Sequence, residues 1–306
     1  MLKRLLLGLA CLLALSPPLA AAEKPVIRLY VTVDWEGWSL DDENLEAMRA
    51  FRKKYPHIPM LHFLNPVYHL RPGADAAETT RSIQSTLLPG DTHGLHVHGW
   101  QSLIEACGLA FREKPDFSGA GQDCHVGECG YTVSLEYAYS QQELTKLIGC
   151  RAGLLERQGF NRPRSFRAGG WQQWPKLAQA LRDNGFTADS SRTDARLIAT
   201  RWGANSKLVN FINQLHPGSN PLDQPYELLP GLKEYPNNAS LADYTSAHKL
   251  VEIFSELVRN GKTVMVLGFH QETAFSYLHR MEDAIPLMEK AAAEAGIKLE
   301  WVSRMD

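Results

Sequence analysis

"VIRLYVTVDWEGW", residues 26–38, begins as a β-branched, apolar run and closes on two acids one residue apart. Such a run favours a β-strand. Side chains at i and i+2 of an extended chain point the same way. Asp34 and Glu36 therefore share a face at the strand's end, with Trp35 turned to the other side. "GLHVHGW" (94–100) closes in the same manner, with His96 and His98 on one face. Two aligned imidazoles suit a polar edge strand. They also suit two legs of a metal site, since neutral imidazole is the commonest metal-binding side chain, though a histidine pair alone is a weak motif.

Working outward, strand-like and helix-like segments alternate. "DDENLEAMRAFRKKY" (41–55) reads as an amphipathic helix with acids in its first turn. "IPMLHFLN" (58–65) is a second strand and 76–88 a second helix. Residues 101–135 form a Gly- and Cys-rich insertion, followed by a helix at 140–158. "PRSFRAGG" (163–170) is a strand leading to the helix "WPKLAQALRDNG" (174–185), and "FTADSS" (186–191) is short and extended. Residues 192–243, with several Pro and Asn, are expected to be irregular. A helix at 244–260, the strand "TVMVLGFH" (263–270), a helix at 280–295 and the strand "IKLEWVS" (297–303) complete the pattern.

This alternation predicts a parallel sheet with right-handed crossovers, closed or nearly closed into an α/β barrel. In barrels of that kind functional residues gather at the C-terminal strand ends. Here those ends carry Asp34, Glu36, His96, His98, Arg167, Asp189 and His270. Each has an ordinary structural use: a helix cap for Asp34 or Asp189, a surface ion pair for Arg167, a core-edge histidine for His270. Their convergence on one mouth is what singles them out.

Bulk properties bound the surroundings. "MLKR", the short apolar run "LLLGLACLLAL" and the small residues of "SPPLAAA" predict a secretory signal peptide over 1–22, cut after Ala22. A lipoprotein anchor at Cys11 fits less well, because Gly8 stands where a Leu-like residue is expected. No later stretch is apolar enough to span a bilayer. The expectation is an exported chain, periplasmic or secreted, with 23–306 as a single domain. Without Lys3 and Arg4 the chain has 30 basic against 34 acidic side chains, and it has no basic run. That argues against nucleic acid as a partner. Cys107, Cys124, Cys129 and Cys150 remain, an even number that predicts two disulfides of unspecified connectivity. The alternative is a structural zinc site in "CHVGEC" (124–129), whose spacing is not that of a zinc ribbon.

The ordered set resembles the NodB-type polysaccharide deacetylase family along the whole mature chain. "TVDWE" (32–36) is similar to its first motif, "GLHVH" (94–98) to the second and "RPRSFRAGG" (162–170) to the third. "GFTADSS" (185–191) resembles the fourth and "VLGFH" (266–270) the fifth. "GLKEYP" (231–236) resembles a strand before the last part of the fold. The commonest first and second motifs have adjacent aspartates and histidines four apart, so Asp-x-Glu and His-x-His are variants. The resemblance implies a distorted, incomplete (β/α) barrel that hydrolyses an N-acetyl amide on a sugar with a divalent metal, zinc by preference. It implies Glu36, His96 and His98 as ligands, Asp34 as general base held by Arg167, and His270 as general acid supported by Asp189. The roles of Asp34 and Glu36 are exchangeable at this level. Trp35, Trp38, Trp100 and Trp171 border the motifs and suit sugar faces or rim packing. The implied partner is an N-acetylated polysaccharide or oligosaccharide. The alternatives are a metal-free or non-sugar amide hydrolase and an inactive carbohydrate-binding protein.

Overall fold

The structure, a computed structural model, describes residues 24–118, 124, 128–173 and 175–305, so the expected signal peptide lies outside the described residues. Among the described residues nine strands form one sheet: β1 (Val26–Asp34), β2 (Met60–Leu64), β3 (Thr92–Val97), β4 (Ser165–Ala168), β5 (Ala188–Asp189), β6 (Tyr226–Leu229), β7 (Leu232–Glu234), β8 (Val264–His270) and β9 (Lys298–Trp301). Their order is β6-β7-β5-β4-β3-β2-β1-β8, with β9 added on β1. Every pairing is parallel except the hairpin β6–β7. The sheet curls into a half-barrel surrounded by helices.

Parallel neighbours need long crossovers, which the helices supply. In Ala247–Arg259 the buried residues Leu250, Ile253, Phe254 and Leu257 fall on one stripe. Burying each such side chain contributes about 1.5–3 kcal/mol. The Ser140 side chain accepts from Glu143 N while the Glu143 carboxylate accepts from Ser140 N, a capping box that starts the helix Gln141–Arg157. Along β1, Leu29 through Asp34 are all buried, so the polar end of this strand enters the interior with the rest.

The segment expected to be irregular, 192–243, is not. It holds the helices Ala195–Trp202 and Lys207–Leu215 as well as β6 and β7. Asp194 and Ser206 cap the two helices, each accepting a backbone N–H of the first turn. Leu208, Val209 and Ile212 pack with Ile198, Trp171 and Leu241 in a second small core. Helices of eight and nine residues fall below the window in which a 3.6-residue period stands out. Beyond β7 the chain runs beside β8, with Ala239 N donating to Val266 O (3.0 Å) and Ala242 N to Gly268 O (2.7 Å). That contact delivers residues 243 and 244 to the mouth.

Both disulfides form. Cys107–Cys150 ties the end of the helix Gln101–Ala106 to the helix Gln141–Arg157, and Cys124–Cys129 clips the insertion. Both cysteines of "CHVGEC" are thereby used, which removes the structural-zinc alternative. Among the described residues no helix is long and apolar enough to cross a membrane.

Candidate active site

Strand register brings distant residues together. In the β1–β8 pair Asp34 lies opposite His270, and in the β3–β4 pair His96 lies opposite Arg167. Glu36 lies two residues past the end of β1 and His98 one residue past the end of β3. The Glu36 carboxylate sits 2.5 Å from His98 Nε2, 3.3 Å from His96 Nε2 and 3.2 Å from His270 Nε2. It also accepts the Tyr131 hydroxyl at 2.7 Å. Burial opposes its charge, but His98, His96 and His270 outweigh burial and hold the carboxyl well below its usual range. His96 is raised: burial works against its protonation and Glu36 overcomes it. His98 is lowered, because there burial dominates.

Asp34 has a different partner. Arg167 Nη1 donates to Asp34 Oδ1 and to Thr32 Oγ1, both at 2.8 Å, while Nε and Nη2 donate to Ser190 O and Ser190 Oγ. The guanidinium is fully buried and lies over the Phe63 ring, so four bonds fix it in one orientation. Asp34 and Glu36, exchangeable in the sequence, are thus distinguished by their neighbours.

The turn that carries Glu36 is locked. Gly37 has φ +96°, and a Cβ there would lie 2.3 Å from Val67 Cγ1 and 2.8 Å from Trp100 Nε1. Glu36 O accepts from Trp100 Nε1 (2.9 Å) and Asn65 Nδ2 (3.0 Å). On the other side Glu272 accepts the N–H groups of Glu36, Gly37 and Trp38 at 3.2, 2.9 and 3.2 Å, together with the Tyr68 hydroxyl. Burial, then the nearby Glu36 charge, pushes Glu272 up to about 7. Sequence reading missed Glu272; its place two residues after His270 was the available signal.

His270 exposes the main departure. Asp189 does not reach it. Asp189 accepts from Ser191 Oγ and from Gln173 Nε2 (3.2 Å), beside the buried Glu234, and burial pushes it up to about 6. Asp243 takes its place, with Oδ1 3.1 Å from His270 Nδ1, held also by Thr273 Oγ1 and by Arg201 at 3.2 Å. Burial opposes the His270 charge, yet Asp243, Tyr244 and Glu36 together outweigh it and lift the imidazole well above its usual value. Asp189 sits on β5, two strands beyond β3 on the far side of β4, whereas Asp243 follows the segment laid against β8 itself.

The tryptophans divide. Trp35 is fully buried on the opposite face of β1, where its Nε1 donates to His62 Nδ1, and Trp100 is fully buried under the Glu36 turn. Neither can meet a substrate, which corrects that expectation for both. Trp38 packs edge-on against Trp100 and beside Tyr131. Trp171, in a positive-φ conformation (53°), does line the cavity. Tyr131, Trp202, Leu208 and Tyr244 line it too and were missed, Trp202 and Leu208 because they lie in the segment read as irregular. The cavity holds about 70 Å³ above Asp34, Glu36, His96, His98 and His270, room for a small acyl group or a few waters.

The donor set fits a divalent ion. Glu36, His96 and His98 offer one carboxylate oxygen and two imidazole nitrogens within 4.8 Å of one another, all buried. His96 Nε2 and His98 Nε2 have no aligned hydrogen-bond partner despite their approach to Glu36. His98 Nδ1 donates to Tyr131 O at 2.7 Å, which directs Nε2 toward the centre. Behind that ring Gly169 leaves no room for a side chain, since a Cβ would lie 2.3 Å from the imidazole. Two His and one carboxylate with an open side are a zinc-type catalytic set.

A solved structure of a candidate polysaccharide deacetylase from Mycobacterium smegmatis superposes on this chain with a TM-score of 0.52 at 14% identity, over 93% of this chain and 90% of that one. The fold is that of the polysaccharide deacetylases. A chitin deacetylase from Colletotrichum lindemuthianum is similar over 93% of this chain and 88% of its own, with a TM-score of 0.46 and 11% identity. A family 4 carbohydrate esterase from Streptomyces lividans, solved with acetate, is similar over 90% and 91%, with a TM-score of 0.42 and 12% identity. No protein-family model and no curated protein sequence matches the chain.

Proposed function

We propose that this protein is a metal-dependent hydrolase that removes N-acetyl groups from an exported or cell-wall amino-sugar polymer. One observation carries the reading: Glu36, His96 and His98 converge in a cavity that also presents the Asp34–Arg167 and His270–Asp243 pairs. A divalent ion held by the first three, zinc by the chemistry of the set, would polarise an acyl oxygen and acidify water. Asp34, oriented by Arg167, takes the proton from the attacking water. The amide C–N bond breaks, acetate leaves, and His270 gives its proton to the departing amine. Asp243 orients His270 through Nδ1 and supports its charge. Tyr131, Trp171 and Tyr244 wall the acyl group from water.

Metal analysis of the purified protein, with acetate release measured on peptidoglycan, an N-acetylhexosamine polymer and short N-acetylated oligosaccharides, tests this. Stoichiometric zinc with turnover that a chelator abolishes supports it. Turnover without metal identifies a metal-free hydrolase, and binding without turnover on every substrate identifies a carbohydrate-binding protein.

A further inference from the structure

At the opposite end of the barrel, where the strands begin, three clefts join edge to edge. One of about 500 Å³ is lined by Arg162, Arg164 and Arg304 around the start of β3 and β4. A second, of about 620 Å³, shares Arg304 and adds Arg28, Tyr30 and Tyr235. A third, of about 350 Å³, shares those last three and adds Lys262. The lining thus holds five cations. Among the described residues its one carboxylate, Asp91, is turned inward: it accepts from Met60 N, Leu88 N and Arg52, and its side chain is 2% exposed. Arg164, Lys262 and Arg304 have no ion-pair partner among the described residues. Arg28 and Arg162 meet Glu300 (3.6 Å) and Glu156 (2.7 Å) in exposed pairs, which are worth little and exchange readily. The whole chain has more acidic than basic side chains, 34 against 32, so this face is a segregation of charge rather than an average.

We propose that this face is a second, non-catalytic site for an anionic polysaccharide, whose carboxylate groups Arg28, Arg162, Arg164, Lys262 and Arg304 receive. Guanidinium forks match such oxyanions in a paired, planar geometry. Linked clefts with Tyr30 and Tyr235 between them, their rings 5.7 Å apart edge to face, suit a strand laid along them. A membrane-binding face would instead present apolar side chains for insertion. The exposed large apolar residues Tyr137, Trp202, Tyr226, Phe275 and Leu287 all lie outside the three linings. A grip at this end raises the concentration of polymer around the catalytic mouth without contributing to chemistry there. It goes beyond acetyl hydrolysis and stands or falls independently of it.

Titration calorimetry on the full chain at low salt, with an unacetylated oligogalacturonate of about ten units (a size on the scale of the linked clefts) as probe and neutral chitohexaose as control, tests the site. Oligogalacturonate binding should weaken as salt rises, and R164Q/R304Q should bind it about tenfold more weakly or worse. R28Q/K262Q, at the other end of the face, should do the same, so that one double variant decides if the other fails to fold. Absence of oligogalacturonate binding, or wild-type binding by folded double variants, would overturn the proposal. So would binding of inorganic polyphosphate, or of phosphatidylcholine vesicles containing phosphatidylglycerol, in place of the sugar oligomer. Because the probe has no acetyl group, its binding is read even if no substrate is ever deacetylated.

Discussion

Replacing Asp243 with Asn tests which carboxylate serves His270. Asp243 Oδ1 stands 3.1 Å from Nδ1 and its side chain is fully buried, so solvent does little to screen the pair. The amide keeps the shape and one acceptor but removes the charge. Loss of one close opposite charge moves a pKa by about 1–3 units, or roughly 1.4–4 kcal/mol between the two imidazole forms. The alkaline limb of kcat/KM should move down by that interval, with a rate loss at neutral pH on the order of a hundredfold. Asp189→Asn should leave the limb in place, because the Asp189 carboxyl faces Ser191 and Gln173. Stability should follow the same pair. The raised His270 contributes fully below its unfolded pKa of about 6.5, and that contribution is lost as pH rises through the folded value. The depressed Asp243 contributes above about 3.8 and loses its share as pH falls through its folded value. The variant should therefore lose stability chiefly between those limits. Acetate-release pH profiles and urea titrations of both variants decide the matter. A limb that moves in Asp189→Asn and stays in Asp243→Asn refutes the assignment.

Three further outcomes are expected. Arg167→Lys cannot reach Thr32, Asp34 and both Ser190 oxygens with one ammonium, and each unpaired buried group costs about 1–3 kcal/mol. It should lose about 2–4 kcal/mol in urea titration and most of its turnover; wild-type values in both would show that Arg167 does not orient Asp34. His96→Ala and His98→Ala should each lower bound zinc at least about tenfold while the circular dichroism spectrum is retained. Full stoichiometry in both rejects the ligand set. Glu272→Gln sets an amide against the N–H groups of residues 36–38 and should weaken zinc binding about tenfold at unchanged secondary structure. An unaltered zinc affinity would mean that the Glu36 turn holds itself.

What could be read without coordinates was local. A period of two residues aligned Asp34 with Glu36 and His96 with His98, and it also placed Trp35 on the far face, where the structure buries it. Strand–helix alternation carried the half-barrel, and an even number of cysteines carried two disulfides, though not their partners. Trp100 shares the parity of His98, yet the chain has left the strand there and entered the helix Gln101–Ala106, so parity no longer applies. Asp243 had no local mark at all. It reaches His270 because the segment after β7 closes against β8, a choice made by the curl of the sheet. The basic clefts are of the same kind, assembled from strand beginnings and a C-terminal segment far apart in the chain. Periodicity and capping act over a few residues and are written along the chain. Which carboxylate meets which imidazole depends on strand order and register, and those are settled only when the sheet folds.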